Sequence, residues 1–217
     1  MRMEAITWER LTVRLARQIT GLRPADGGSR LRVGLDGAPA ARPERLAEAL
    51  AEELRADGRA ALPVALDGFL RPASLRFEYG RHDPDAYYDS WYDTGALWRE
   101  VFQPLEPGGS GRVLPDLWDP AADRATRSAP VPLAPGGVLL LHGPLLLGHW
   151  FPFDLSVHLS LTPAALARRT DQDARWTLPA FARYEEEVRP GEAAHVLVRA
   201  DDPRRPAWSG TAWSGTA

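Results

Sequence analysis

Apolar residues recur along the chain in two patterns: short, largely uninterrupted runs, and longer stretches in which they return every three or four positions. The runs predict buried strands at Leu31–Leu35, Ala61–Leu66, Val138–Leu141, Leu155–Leu161 and Ala194–Val198. The periodic stretches predict a leading helix from Ile6 to Leu22 and further helices at Pro43–Ala56, about Thr94–Phe102, around Arg168 and Arg169, and Thr177–Val188. Strands that are apolar throughout and alternate with helices indicate a parallel sheet covered on both faces. The predicted fold class is a three-layer α/β domain.

Three of the predicted strands end in a polar residue followed by glycine. The pairs are Asp36-Gly37, Asp67-Gly68 and His142-Gly143. Ligands of open parallel sheets bind at the carboxyl ends of the strands, so we expect Asp36, Gly37, Asp67 and His142 to face a ligand crevice. Two alternatives remain open: Asp67 could only cap a turn before Gly68, and His142 could be a buried, hydrogen-bonded histidine.

The residue composition excludes several kinds of chemistry. The chain has 26 basic and 29 acidic residues and a net charge of −3, which argues against a nucleic-acid partner. It has no cysteine, which excludes disulfides and thiolate sites and favours a cytoplasmic location. All basic residues are arginine, so no lysine is available for a Schiff base or a phosphate loop. The first 22 residues contain acidic and basic side chains, which indicates neither a signal peptide nor a membrane span.

The spacing of proline and glycine suggests the domain organisation. Residues 1–205 read as one domain, in which a segment rich in proline and glycine at about 104–137 predicts loops and short strands. Such a long excursion is usually functional or mobile. From Trp208 the unit Trp-Ser-Gly-Thr-Ala occurs twice, and residues 206–217 are predicted to be a flexible tail.

Four segments resemble the uridine kinase family of P-loop nucleoside kinases, in order and over roughly residues 1–205. They are Gly34-Leu-Asp-Gly37, Asp67-Gly-Phe-Leu-Arg-Pro72, Asp93-Thr-Gly-Ala-Leu97 and Leu166-Ala-Arg-Arg-Thr-Asp-Gln-Asp173. The resemblance implies a P-loop kinase fold. It also implies that Asp67 is the catalytic base, that Asp93 holds the ribose, and that Arg168 and Arg169 belong to a lid that contacts the phosphates.

The departures from the family pattern concern the residues that hold ATP. A working loop reads Gly-x4-Gly-Lys-Ser/Thr, whereas Arg42, Pro43 and Glu44 stand at its last three positions here. Glu44 places a carboxylate in a first helical turn that would otherwise attract phosphate. Losing the lysine and the hydroxyl removes several kcal/mol of triphosphate binding, at about 1.5 to 3 kcal/mol for each charge-assisted hydrogen bond. Arg42 or Arg45 could restore part of it. His142 stands where the family usually has an acidic residue, and imidazole is a poor ligand for magnesium.

Other candidate residues carry two interpretations each. Asp93 could cap the next helix as well as bind a ribose, and Arg168 and Arg169 could serve solubility instead of binding an anion. Tyr88 and its aromatic neighbours could stack on a base or pack in the core. Arg71 and Arg124 are further candidates for ligand contact. The polar segment between His82 and Asp93 is read as a solvated loop, and no metal site is predicted.

Three functional hypotheses follow. In the first, the protein is a uridine kinase-like descendant that binds a nucleoside, a nucleotide or a related phosphorylated small molecule, and phosphoryl transfer is lost or altered. The second is an active nucleoside kinase with Asp67 as its base, which alone would require ATP and magnesium as cofactors. The third is a protein-interaction module. The expected partner is a small molecule, with no nucleic acid or membrane, and association into a homo-oligomer is left open.

Overall fold

The fold is organised around a mostly parallel sheet, and the computed structural model describes residues 3–209 of the chain. Its strands are β1 (Met3–Ala5), β2 (Leu31–Asp36), β3 (Ala61–Ala65), β4 (Arg112–Val113), β5 (Trp118–Asp119), β6 (Arg124–Ala125), β7 (Val131–Pro132), β8 (Val138–Gly143), β9 (Leu155–Ser160), β10 (Val196–Arg199) and β11 (Ala207–Ser209). The main sheet has seven strands in the order β1-β11-β10-β9-β2-β8-β3. The strands from β10 to β3 in that order are parallel.

Helices cover both faces of this sheet. They are α1 (Trp8–Gly21), α2 (Pro43–Ala56), α3 (Ala73–Arg76), α4 (Pro84–Asp89), α5 (Thr94–Leu97), α6 (Pro163–Arg169), α7 (Leu178–Glu187) and α8 (Pro190–Ala193). One π-helical turn, Trp98–Phe102, continues α5. No helix among residues 3–209 is long and apolar enough to cross a membrane. The three-layer α/β fold predicted from the sequence is confirmed, as are its five parallel strands.

Two apolar layers hold the helices on the sheet. Alternate residues of β2, β8, β9 and β10 pack with α1 and α2 on one face, where Leu11, Leu15, Leu50 and Leu54 are fully buried. The opposite face packs against the segment that follows α5, where Phe102 is fully buried. Strands buried on both faces have continuous apolar sequences, which is why their positions could be predicted.

The end of the chain departs from the predicted flexible tail at residues 207–209. These residues form β11, which pairs antiparallel with both β1 and β10. The side chain of Trp208 is buried in the core, and the Ser209 hydroxyl accepts a hydrogen bond from Leu197 N at 2.9 Å. Burying an indole and pairing both strand edges fixes this segment in the sheet. The rest of the predicted tail, 210–217, lies outside the described residues.

The segment rich in proline and glycine forms two small ribbons. Strands β4 and β7 pair antiparallel, and so do β5 and β6. The β5–β6 ribbon is attached to the main body through Asp123, whose Oδ1 accepts hydrogen bonds from Ala73 N at 2.9 Å and Trp118 Nε1 at 3.0 Å. The Arg76 guanidinium lies 3.7 Å from the same carboxylate. The ribbon is thereby fixed beside the segment that follows β3.

The ring of Phe153 leaves no room for a side chain at Gly34, in the middle of the central strand β2. A Cβ added at Gly34 would lie 2.8 Å from that ring, which packs edge-on against Phe102 at 5.7 Å. We therefore expect Gly34→Ala to lower the free energy of unfolding by about 1 to 3 kcal/mol in urea denaturation, because overpacking forces neighbours to shift. Gly21→Ala is the matched control, since nothing lies within 4 Å of a Cβ there. Equal stability of the two variants would contradict this interpretation.

Candidate functional site

A cleft of about 1040 Å³ opens at the carboxyl ends of the parallel strands. Its walls come from α1, α2, the segments that follow β2, β3 and β10, and the region from the end of α6 into α7. The lining residues that carry a charge or an aromatic ring are Trp8, Arg42, Arg45, Asp67, Tyr87, Trp91, Tyr92, Arg169, Asp171, Trp176 and Phe181. Of the residues predicted to bind a ligand or to act in catalysis, the lining contains Arg42, Arg45, Asp67 and Arg169.

The loop between β2 and α2 is closed by its own hydrogen bonds. Residues Pro39–Ala41 form a 3₁₀ turn, in which Ala41 N donates to Ala38 O at 2.8 Å and Arg42 N donates to Pro39 O at 3.0 Å. Arg42 takes up a left-handed conformation (φ 60°, ψ 55°) immediately before α2. Glycine adopts this conformation at little cost and arginine does not. The first turn of α2 then contains Pro43, which has no N–H, and Glu44.

Gly37, predicted to bind a ligand, lies behind this loop. Its N–H donates to Gly143 O at 3.1 Å, and an added Cβ would lie 3.0 Å from Leu159 O. The residue is buried and its donor is occupied. Its structural role is the close packing of the loop against β9.

Three arginines give the cleft its positive charge. Arg42 and Arg45 are exposed, and within residues 3–209 their side chains make no hydrogen bond or ion pair. Arg169 is attached to the loop after β10, where Nη1 donates to Ala200 O at 2.8 Å and Nη2 donates to Asp201 O. Arg168, the other predicted lid arginine, is exposed and lies outside the cleft lining.

Asp67 supplies a carboxylate at the end of β3. It lies in the 3₁₀ turn Leu66–Phe69, and its Oδ1 accepts a hydrogen bond from Tyr92 OH at 3.2 Å. The carboxylate opens to the cleft, but surrounding protein atoms displace much of its water. This burial raises the pKa of Asp67, and the hydrogen bond from Tyr92 offsets part of the effect. Burial also raises the pKa of Tyr92, so that its hydroxyl stays protonated and donates to Asp67.

Aromatic rings form the wall beside Asp67. The ring of Trp176 lies 5.3 Å from that of Trp91 and 5.5 Å from that of Tyr87. Tyr87 also packs edge-on against Phe181 at 5.9 Å. These rings and Leu70 line the cleft together, which gives a planar or apolar group a surface to pack on. We call Tyr87, Trp91, Trp176 and Phe181 the aromatic wall.

Comparison with known proteins identifies the fold. No protein-family model and no curated protein matches the sequence. A solved structure described as a possible uridine kinase from Bacillus stearothermophilus superimposes with a TM-score of 0.67 at 22% identity, covering 87% of this chain and 97% of the other. The chain has the P-loop kinase fold. A candidate fructose transport system kinase from Silicibacter sp. TM1040 (TM-score 0.61, 27% identity, coverages 87% and 95%) shares the fold. So does a D-glycerate 3-kinase from Cryptococcus neoformans (TM-score 0.56, 14% identity, coverages 88% and 92%).

The phosphate loop of this P-loop kinase fold does not fit a triphosphate with magnesium. Such loops cradle phosphates with free backbone N–H groups, a lysine and a hydroxyl. Here two of the N–H groups are used inside the turn, and Pro43 and Glu44 occupy the positions of the lysine and the hydroxyl. In the described part of the chain no three His, Asp or Glu side chains are grouped to hold a metal ion.

Asp36, predicted to face the ligand crevice, does not line the cleft. It is fully buried under the loop, and both carboxylate oxygens accept hydrogen bonds from protein donors. Oδ1 accepts from Leu146 N at 2.9 Å, and Oδ2 lies 2.6 Å from His158 Nδ1 and 3.1 Å from the Tyr184 hydroxyl. In a strand successive side chains point to opposite faces, so a position at a strand end does not by itself decide whether the side chain enters the crevice.

His158 carries the positive charge that balances Asp36. Burial works against the charged imidazole, but the hydrogen bond to Asp36 and the attraction of the nearby Glu185 carboxylate outweigh it and raise the pKa of His158 to about 9. Its Nε2 lies 3.7 Å from Glu185 Oε1. Asp36, His158, Tyr184 and Glu185 therefore form an interaction network beneath the phosphate loop, which we call the Asp36–His158 network.

The remaining predicted residues lie outside the cleft lining. Asp93 caps α5, accepting from Ala96 N at 2.8 Å, and the Tyr88 hydroxyl donates to Glu187 at 3.0 Å. The backbone carbonyl of Arg71 accepts a hydrogen bond from Arg76 Nε at 2.7 Å. Arg124 is exposed on the β5–β6 ribbon. His142 is half-buried in β8, where burial lowers its pKa and favours the neutral ring. Contact of these side chains with a ligand stays a prediction.

Two contributions to the cleft were missed from the sequence. Trp176 lies in an irregular 3₁₀ segment, Gln172–Thr177, and was not recognised as a partner of the distant Tyr87 and Trp91. Trp8 was assigned only to the leading helix, yet its side chain lines the cleft. Its indole N–H donates to Pro203 O at 2.9 Å. Isolated tryptophans in polar surroundings were the available signal for both.

Proposed function

We propose that this protein binds a nucleoside, a nucleotide or a related phosphorylated small molecule in the cleft, and that ATP-dependent phosphoryl transfer is lost or altered. One observation carries the proposal: the loop 38–42 is closed on itself and followed by Glu44, while the adjoining cleft keeps Asp67 beside an aromatic wall. The changed loop corresponds to the donor half of a kinase site, and Asp67 with the aromatic wall supports binding at the acceptor half.

The acceptor half suits a ligand with a planar ring and hydroxyl groups. In the aromatic wall, half-buried Trp176 offers a ring surface for stacking, and the buried rings of Tyr87, Trp91 and Phe181 support it. Aromatic pairs contribute about 0.5 to 1.5 kcal/mol beyond the area they bury. Asp67 accepts hydrogen bonds from ligand hydroxyls, because Tyr92 occupies only one of its oxygens. A hydrogen bond to a charged group contributes about 1.5 to 3 kcal/mol. Asp67 and the aromatic wall together could select a nucleoside.

Calorimetric titration with uridine, and separately with ATP and magnesium, tests this proposal. We expect uridine to bind. The affinity for ATP with magnesium should be at least about a hundredfold lower than that of a phosphate loop with lysine and a hydroxyl, because two charge-assisted interactions are missing. Tight binding of ATP with magnesium would contradict the proposal, and so would failure of the chain to bind either uridine or uridine 5′-monophosphate.

Asp67→Asn is expected to lower the affinity for uridine about tenfold or more, because the amide is a weaker acceptor than the carboxylate. Asp57→Asn is the matched control, since Asp57 is exposed at the end of α2 and outside the cleft lining. Calorimetry on the two variants measures the difference. Equal affinity in both would show that Asp67 does not contact uridine.

Nucleoside kinase activity is the second candidate, favoured by the position and pKa of Asp67. Burial raises the pKa of this carboxylate, and a carboxylate with a raised pKa is a stronger base toward an acceptor hydroxyl. Arg169 lines the same cleft. Phosphate transfer to uridine that disappears in Asp67→Asn would establish this activity in place of the first proposal.

A further inference from the structure

We infer that the cleft takes one ligand that spans both of its ends, a planar ring with a single compact anionic group, and that Arg42 and Arg45 bind the anion. The inference rests on the proposed function and specifies the ligand class. Arg42, Arg45 and the aromatic wall line one continuous cleft. A nucleoside monophosphate has the required chemistry.

The anionic end is assigned to the arginines that the changed loop itself provides. Arg42 and Arg45 line the cleft, and within residues 3–209 neither guanidinium is engaged by an acid or a carbonyl. Their backbone is fixed, since Arg42 ends the 3₁₀ turn and Arg45 N donates to Arg42 O at 3.2 Å. Guanidinium groups bind phosphate through paired, charge-assisted hydrogen bonds. Arg169 adds a third positive charge to the lining.

The balance of charge in the cleft favours a single phosphate. Arg42, Arg45 and Arg169 supply three positive charges to the lining, and Asp67 and Asp171 supply two negative ones, which leaves an excess of one positive charge. A phosphate monoester carries about −1.5 to −2 near neutral pH. The monoester exceeds this positive excess by at most about one charge, whereas a free triphosphate exceeds it by more and would also approach Glu44 in the first turn of α2.

The shape of the cleft supports one bridging ligand. The 3₁₀ turn Pro39–Ala41 stands where the resemblance places a phosphate loop, and Ala38, Pro39, Ala40 and Ala41 line the cleft. Arginines and aromatic wall line the same continuous volume of about 1040 Å³. Small-molecule pockets are usually about 300 to 1,000 Å³, so this volume accommodates a ring and its phosphate at the same time.

Titration of the full chain with four probes tests the inference: uridine, uridine 5′-monophosphate, inorganic phosphate, and ATP without magnesium. We expect the monophosphate to bind at least tenfold more tightly than uridine, and inorganic phosphate and ATP to bind more weakly than the monophosphate. The preference over uridine should shrink as salt is raised, because ion pairing is screened. Equal affinities for uridine and its monophosphate would overturn the inference and leave the proposed function intact.

Variants of the two arginines separate the anion site from the ring site. The double variant Arg42→Gln/Arg45→Gln should remove the preference for the monophosphate and leave uridine affinity unchanged. Arg175→Gln is the matched control, because Arg175 is exposed nearby but does not line the cleft. Equal losses for both compounds in the double variant would overturn the assignment of the anion to these arginines. Failure of uridine and the monophosphate alike to bind the unmodified chain would overturn the proposed function itself.

Discussion

Asp36→Ala is expected to lower the free energy of unfolding by about 3 to 5 kcal/mol, the usual cost of removing one partner of a buried ion pair. Asp36 is fully buried, and its oxygens accept from Leu146 N, His158 and Tyr184. The substitution leaves three buried donors without an acceptor. Urea denaturation near pH 7 measures the effect. A loss below about 1 kcal/mol would show that the network does not hold the sheet and α7 together.

The pH dependence of stability gives a second measurement of the same pair. Because the folded-state pKa of His158 is raised to about 9 from 6.5, its contribution is fully present below pH 6.5 and is lost as the pH rises through about 9. The linkage relation puts this contribution at roughly 3 kcal/mol. We expect the unmodified chain to lose stability across this window. Asp36→Asn, which keeps an acceptor without the charge, should lose little over the same range, and equal slopes for the two proteins would contradict the assignment.

The strands could be predicted because short runs of apolar residues indicate their burial. Parallel strands covered on both faces need consecutive apolar residues, as in Val138–Leu141. Strand β11 was not predictable in this way, because Ala207, Trp208 and Ser209 form too short a segment for a periodicity. Trp208 is fixed in the core by contacts with residues remote in sequence. Predicting such a strand requires knowledge of the sheet edge that it joins.

The position of the cleft at the strand ends could be predicted from the sequence. Which side chains at those ends enter the cleft could not, because that depends on the direction of each side chain. Asp67 and Asp36 both follow apolar runs, yet Asp67 opens to the cleft and Asp36 points beneath the loop to His158. His158 was read only as part of an apolar strand, so the pairing of two buried charges was missed. The aromatic wall joins Tyr87 and Trp91 to Trp176 across a long sequence separation, which no local pattern reveals.

The left-handed conformation of Arg42 links the sequence change to the shape of the loop. A phosphate loop has glycine at this position, and here arginine keeps the left-handed backbone at a cost of about 1 to 2 kcal/mol. The 3₁₀ turn before it and Pro43 after it hold the residue in place. Residue 42 therefore has the conformation that glycine adopts at little cost, so that a glycine placed there fits the loop without strain.

The triple substitution Arg42→Gly, Pro43→Lys and Glu44→Thr is therefore expected to create binding of ATP with magnesium. It restores a flexible residue, a cation for the terminal phosphates, a hydroxyl and one backbone donor, and it removes the repelling carboxylate. Two charge-assisted interactions of about 1.5 to 3 kcal/mol each correspond to a gain in affinity of at least about a hundredfold. Calorimetry with ATP and magnesium on the unmodified and substituted chains measures this gain.

Glu44→Gln alone separates repulsion from the missing contacts. It removes the carboxylate from the first turn of α2 but supplies neither cation nor hydroxyl, so we expect a gain below about tenfold, in keeping with the 0.3 to 1 kcal/mol typical of a charge near a helix end. If the triple variant keeps the circular dichroism and unfolding midpoint of the unmodified chain and still gains no affinity for ATP, the three residues are not what prevents binding. The closed turn Pro39–Ala41, whose hydrogen bonds the substitutions leave in place, would then be the obstacle.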